Sequence, residues 1–145
     1  MTQTRMKAQE PLPTVAEMLA APEDEYMSPR QLAFFRAQLL AERDALLGAA
    51  RATTQSLQQD YVAPADPSDR ASLEEDHTLE LRVRDRERKQ LHKIDEALAR
   101  IDNSSYGWCE ETGEPIGIAR LIARPTASFT LEAQQRHETR KKMMG

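Results

Sequence analysis

Three groups of residues carry side chains with chemistry to offer, and the first surrounds the single cysteine in YGWCEETGEPIGIARLIARPTASFT, residues 106–130. Cys109 and Thr112 form one pair at spacing three, and Thr130 and Ala133 form a second. That is the frame of a metal knuckle. A structural zinc ion needs four soft or borderline ligands in a tetrahedron, and one thiol, two neutral hydroxyls and a methyl group do not supply them. His137, one helical turn past Ala133, adds at most a second ligand. No metal is therefore expected. Packing by Trp108, Ile116, Ile118, Leu121, Ile122, Phe129 and Leu131 is expected to take its place, with Thr130 capping the last helix. Cys109 reads as a small buried hydrophobe, since no activating base lies beside it in sequence.

The second group is Asp66, Asp69, Arg70 and Ala71 in DPSDRA. Short carboxylates on a turn either meet a basic or magnesium-bearing partner or shape the turn by bonding to their own backbone, and the residues alone leave both open. They do not form an acid, base and nucleophile constellation, and a protruding turn has no pocket to exclude water, so an enzyme is not expected. The third group is the charge run from Arg82 to Lys89, interrupted only by Val83. Such a run is a solvated face with intrahelical pairs or the wall that meets a partner.

These residues need elements to hold them. Pro11, Pro13 and Pro22 interrupt the first 27 residues and leave room for one short apolar helix over Val15–Leu19. Ser28-Pro29 is a hydroxyl cap followed by proline at the first helical position, a strong start signal. From there Leu32, Phe35, Leu39, Leu46, Ala50, Thr53 and Leu57 recur mostly at spacings of three or four, with Phe34 and Leu47 widening the stripe. A helix to Gln59 would be about 48 Å long. The pattern stops at DYVAPADPSDRAS, residues 60–72, where prolines, aspartates and serines predict a connection. Beyond it Leu73, Leu91, Ile94, Leu98 and Ile101 mark a second stripe, with His77, Glu80, Arg84 and Glu87 filling the seam on the simplest count; a small shift would turn Leu81 inward instead. DNSSYG stops this helix, and Thr130 opens a last one reaching Met143 with basic residues toward its end.

The expected fold is mainly α: a long antiparallel coiled-coil hairpin projecting from a small globular head that contains the degenerate finger-like segment and a C-terminal helix. Its parts are 1–27 in the head, 28–104 for the hairpin with its tip at 60–72, 105–130 for the finger-like segment and 131–145 for the last helix. Charged residues make up 30% and aromatic residues 5%, which suits long exposed helices better than a large core. The formal charge of -4, with no strongly basic block, argues against sequence-specific DNA binding. No run approaches a membrane span and the start lacks the apolar stretch of a signal peptide, so a cytoplasmic protein is expected.

Four ordered motifs, EDEYMSPRQLAFFR, DPSDRAS, LELRVRDRERKQLHKI and YGWCEETGEPIGIARLIARPTA, resemble the DksA/TraR family of transcription regulators, over about residues 23–145. In that family a coiled-coil hairpin projects from a head that usually holds a four-cysteine zinc finger. Here three of the four cysteine positions are Thr112, Thr130 and Ala133, beside the remaining Cys109, which is similar to the family's cysteine-poor, zinc-independent branch. The resemblance implies a monomer that binds bacterial RNA polymerase through its secondary channel and alters open-complex stability, together with (p)ppGpp. It places Asp66, Asp69 and Ala71 at the working tip, with Asp69 and Ala71 the most sensitive pair, and Arg86 near the channel contacts. Lys93 and Arg124 match the protein half of a (p)ppGpp site, whose third position, usually lysine, is Gln134. Two other functions keep a place: an adaptor that self-associates or binds a helical protein through the hairpin, and a factor that stimulates polymerase to trim its transcript.

Overall fold

A computed structural model describes residues 11–58 and 66–144. Among the described residues five α-helices follow one another: α1 Val15–Ala20, α2 Pro29–Gln58, α3 Pro67–Asp102, α4 Ile118–Ala123 and α5 Leu131–Met144, with a 3-10 turn at Glu23–Glu25. Trp108 and Pro115 form an isolated antiparallel bridge. The protein is mainly helical, as the periodicity predicts.

Local chemistry explains the boundaries. At the start of α2 the Ser28 hydroxyl accepts the Gln31 N–H at 3.4 Å, while the Gln31 side chain accepts the Met27 N–H at 2.9 Å, so two orphan donors are satisfied around one turn. The start of α3 differs from the expected one. The helix begins at Pro67, so Asp69, Arg70 and Ala71 lie on its first turn and not in a loop; the centre of the expected connection, 59–65, lies outside the described residues. Asp66 causes this, because its carboxylate accepts the Ser68 N–H at 2.9 Å and its carbonyl the Arg70 N–H at 3.0 Å. Asp-Pro is the same start signal as Ser28-Pro29, masked in the sequence by the surrounding turn-formers. At the other end, Ser104 sits at φ 65°, and the N–H groups of Ser104 and Ser105 return to the carbonyls of Ile101 and Arg100. That is a Schellman stop with serine where glycine is favoured.

The contacts divide the chain into two compact units, one formed by the residues up to Leu39 and from Ala97 onward, the other by Leu40–Glu96. In the first, Met18, Phe35, Leu39, Ala97, Ile101, Tyr106, Ile116, Leu121 and Ala133 are buried. Helix α1 packs on α4, and the Phe35 and Tyr106 rings meet at 5.4 Å. Each large side chain withdrawn from water here contributes about 1.5–3 kcal/mol. Of the expected packing set Ile116 and Leu121 are in this core, Ile118, Ile122 and Phe129 are half-buried, and Trp108 and Leu131 are 39% and 53% exposed. Tyr106, absent from the expected packing set, fills the interior, with its hydroxyl donating to the Pro125 carbonyl at 2.7 Å.

The second unit is the long helix pair. Arg43 on α2 donates to Asp95 on α3 at 2.8 Å, and Thr53 to Glu87 at 2.8 Å; partner numbers rise on one helix as they fall on the other, which makes the pair antiparallel. Ile94 is fully buried, and Leu46, Ala50 and Leu91 are half-buried. Farther along α3, His77, Glu80 and Glu87 are half-buried while Leu81 is 45% exposed, so the simplest count gives the seam, with Arg84 the exception, turned to solvent. Leu73, placed on the apolar stripe by its spacing, is 38% exposed. The seam is therefore apolar near Ile94 and polar toward the start of α3.

Candidate functional site

The knuckle is built by backbone hydrogen bonds. Cys109 N–H donates to the Glu114 carbonyl at 2.8 Å, Gly113 N–H to the Cys109 carbonyl at 2.9 Å, and Ile116 N–H to the Gly107 carbonyl at 2.9 Å. Gly113 takes φ 76° at the apex, a region that L side chains rarely enter. Gly107 is constrained twice, by φ 89° and by Met27, whose sulfur would lie 2.4 Å from an added Cβ. Tyr26 ties the two arms together: its hydroxyl donates to the Gly107 carbonyl at 2.5 Å and accepts the Gly117 N–H at 2.9 Å, while its ring stands edge-on to Trp108 at 5.3 Å. Burial raises its phenol pKa, against the Gly117 and Ile116 backbone groups that lower it, and keeps the hydroxyl a donor.

Inside this frame the four ligand positions do converge, through bonds among themselves. Cys109 is 3% exposed. Burial alone would push its thiol up, but hydrogen bonding from the Thr112 hydroxyl and from the N–H groups of Thr130, Thr112 and Glu111 outweighs it and holds the pKa at about 7. The cysteine is thus buried, as its type suggests, yet polarised, which the sequence gives no sign of. The Thr112 hydroxyl accepts the Glu114 N–H at 3.2 Å, and the Thr130 hydroxyl the Ala133 N–H at 3.2 Å, capping α5. Ala133, fully buried, offers no donor atom. Among the described residues no three His, Cys, Asp or Glu side chains gather as a metal site. These positions do not fit a tetrahedral zinc ion: one sulfur is present, and both hydroxyls are occupied in closing turns.

In the helix pair, Asp69, Arg70 and Ala71 are exposed on the first turn of α3. Asp69 makes no ion pair or side-chain hydrogen bond among the described residues, whereas the Asp66 carboxylate is engaged as the cap. Within the charge run, intrahelical pairing centres on Asp85. Asp85 binds Lys89 at 3.1 Å and Arg88 at 2.6 Å, and these partners, Lys89 foremost, lower its pKa. Glu87 turns inward to Thr53. Arg86 stays exposed and makes no ion pair among the described residues. Lys93 is exposed on α3 beside Lys89 and His92.

Arg124 and Gln134 belong to the other unit. Arg124 ends α4 at φ -137°, its N–H bonded to the Arg120 carbonyl at 2.7 Å, and its side chain lines an open cleft with Arg120, Leu131 and Glu132. Gln134 donates to Glu138 at 3.0 Å within α5. Sequence reading missed α4 itself, since Gly117 provides no capping side chain and six residues show little periodicity. It missed both tyrosine hydroxyls as well; the signal for one was present in EDEYM, where Tyr26 stands among acids with no apolar reason to be there.

A long antiparallel helix pair, together with a finger-like knuckle that retains a single thiol, defines a class: helical proteins built on a zinc-finger frame. The comparisons narrow it. Residues 31–101 match the N-terminal domain of the DnaK suppressor protein DksA, and residues 104–138 the prokaryotic dksA/traR C4-type zinc finger. The RNA polymerase-binding transcription factor DksA of Caulobacter vibrioides is 54% identical over 122 residues, 83% of this chain and 86% of that one. Its counterpart in Escherichia coli is 43% identical over 123 residues, 85% of this chain and 82% of that one. The solved structure of transcription factor DksA2 from Pseudomonas aeruginosa superposes with a TM-score of 0.77 at 43% identity, over 89% of this chain and 99% of that one. The chain belongs to the DksA/TraR family.

Proposed function

We propose that this protein is a nonenzymatic transcription factor that binds bacterial RNA polymerase, reaching it through the secondary channel, and shortens or lengthens the life of the open complex without contacting promoter DNA itself. Its relatives bear the name RNA polymerase-binding transcription factor. The observation that carries the reading is Asp69: an exposed carboxylate on the first turn of α3, without a side-chain partner among the described residues, while Asp66 does the capping. Arg86, exposed and unpaired among the described residues, serves as a contact to the channel wall.

Lys93 and Arg124 bind the pyrophosphates of (p)ppGpp at the polymerase interface, as cations suited to phosphate oxygens. Gln134 supplies hydrogen bonds in place of a third charge, so the alarmone response is weaker than a lysine there would give. The knuckle works without zinc, held by its own hydrogen bonds and by packing, and the protein acts as a cytoplasmic monomer.

The test is a purified transcription assay on a ribosomal RNA promoter. Saturating protein should shorten the open-complex lifetime, and (p)ppGpp should deepen the effect. An unchanged lifetime in both conditions rejects the reading; a hairpin-mediated homodimer with no polymerase capture would favour an adaptor instead.

A further inference from the structure

Arg124 has an exposed side chain, and an exposed arginine ordinarily samples many rotamers before it meets an anion. Its backbone has no such freedom. On the N-terminal side lies α4, whose first turn follows Gly117 at φ 103°, and the Gly117 N–H is held by the Tyr26 hydroxyl at 2.9 Å. On the C-terminal side, the carbonyl of Pro125 accepts the Tyr106 hydroxyl at 2.7 Å, and the carbonyl of Thr126 accepts Arg100 at 3.3 Å. Between these anchors the Arg124 N–H bonds to Arg120 and its carbonyl accepts the Ala127 N–H at 3.0 Å. Both phenols come from distant parts of the chain, Tyr26 from the segment before α2 and Tyr106 from the turn after α3. Neither is required to fill space by its oxygen, since a phenylalanine ring would occupy the same volume.

We propose that Tyr26 and Tyr106 are positioning residues for Arg124, two hydroxyls that clamp the segment from Gly117 to Pro125 so that the guanidinium is presented from a fixed backbone to a phosphate-bearing partner. This rests on the reading of Arg124 as an alarmone contact and names how that contact is pre-organised. Fixing the backbone beforehand reduces the ordering that binding must otherwise bring about. The Tyr26 hydroxyl donates to one arm of the knuckle and accepts from the other, so its removal frees the Gly107 carbonyl as well as the Gly117 N–H.

The experiment uses the full-length protein and two variants that delete one oxygen each, Tyr26→Phe and Tyr106→Phe. Hydrogen exchange at the Gly117 amide should quicken by roughly fivefold in Tyr26→Phe, the equilibrium equivalent of one net hydrogen bond. The Nε–Hε relaxation of Arg124 should show increased motion in both variants, with Arg36 on α2 unchanged as an internal reference. In transcription, Tyr26→Phe should lower the (p)ppGpp-dependent enhancement while leaving alarmone-free polymerase capture intact, and Tyr26→Phe combined with Arg124→Ala should fall no lower than Arg124→Ala alone. The proposal is overturned if Arg124 motion is unchanged in both variants, or if capture and alarmone response fall in equal proportion, as simple loosening of the fold would give. Increased Arg124 motion in the tyrosine variants, together with an unaltered alarmone response in Arg124→Ala, leaves the clamp standing and removes Arg124 from the (p)ppGpp site, so the two ideas fail separately.

Discussion

Asp66 and Asp69 lie one turn apart and do different work: the first closes the start of α3, and the second is exposed on it. Asp66→Ala should therefore cost stability, about 1 kcal/mol as for other lost caps, measured by denaturant unfolding. Asp69→Asn, by contrast, should leave stability and polymerase capture unchanged and reduce the effect on open-complex lifetime by roughly tenfold, the scale of one charge-assisted hydrogen bond. Equal activity of that variant removes the tip role. Cys109 offers a pH measurement, since it is the only thiol in the chain and its ultraviolet thiolate absorbance is unambiguous. A thiol held at about 7 in the folded state lies below its unfolded value, so its contribution to stability is complete only above that unfolded value and is lost as pH falls through about 7. Thr112→Val should move the thiolate midpoint upward; an unmoved midpoint would show that the Thr112 hydroxyl does not act on the sulfur.

At the scale of elements, the two long helices carry one weak end and one weak pair. Ser104 holds a left-handed conformation that costs an L side chain about 1–2 kcal/mol, so Ser104→Gly should stabilise the fold by about 1 kcal/mol and raise the thermal midpoint of unfolding by a few degrees. In the seam, Thr53 satisfies one oxygen of Glu87 while the other, Oε2, is buried without a hydrogen-bond partner in the described residues. Removing the threonine hydroxyl alone, Thr53→Val, should destabilise by about 1–3 kcal/mol, because it strands the carboxylate further. Thr53→Val with Glu87→Leu should recover the loss, since two apolar partners of similar size need no hydrogen bond. Chemical denaturation of the three variants reads the difference; a double variant weaker than the single would mean that Glu87 has a role in packing that leucine cannot fill.

For the molecule as a whole, the decisive question is what holds the knuckle. Purified protein should contain far less than one equivalent of zinc, and a chelator should leave its unfolding midpoint where it was. Installing the missing ligands, Thr112→Cys, Thr130→Cys and Ala133→Cys together, should create a site that takes one zinc and then becomes chelator-sensitive, because the backbone frame that presents these positions is intact. Stoichiometric zinc in the unaltered protein would overturn this account. No helix among the described residues is long and apolar enough to cross a membrane.

By itself the sequence determined the helices with strong periodicity or strong caps. Val15–Ala20 and the helix starts at Pro29 and Leu131 lie within a residue or two of the limits that capping and apolar spacing predict, because those signals act over one or two turns of chain. The four motifs likewise carried the family, and the ligand positions were legible as a frame lacking its ligands. Only the tertiary structure decided that α3 begins at Pro67, that Glu87 turns to Thr53 on the partner helix while Leu81 stays exposed, and that the Tyr26 and Tyr106 hydroxyls bond to Gly117 and Pro125. The Tyr26 and Tyr106 contacts join residues 91 and 19 positions apart, and no local pattern encodes such a bond. The fate of Cys109 was decided in the same way: its type predicted burial, but the polarised sulfur depends on a threonine hydroxyl and on backbone N–H groups that come together only when the knuckle closes.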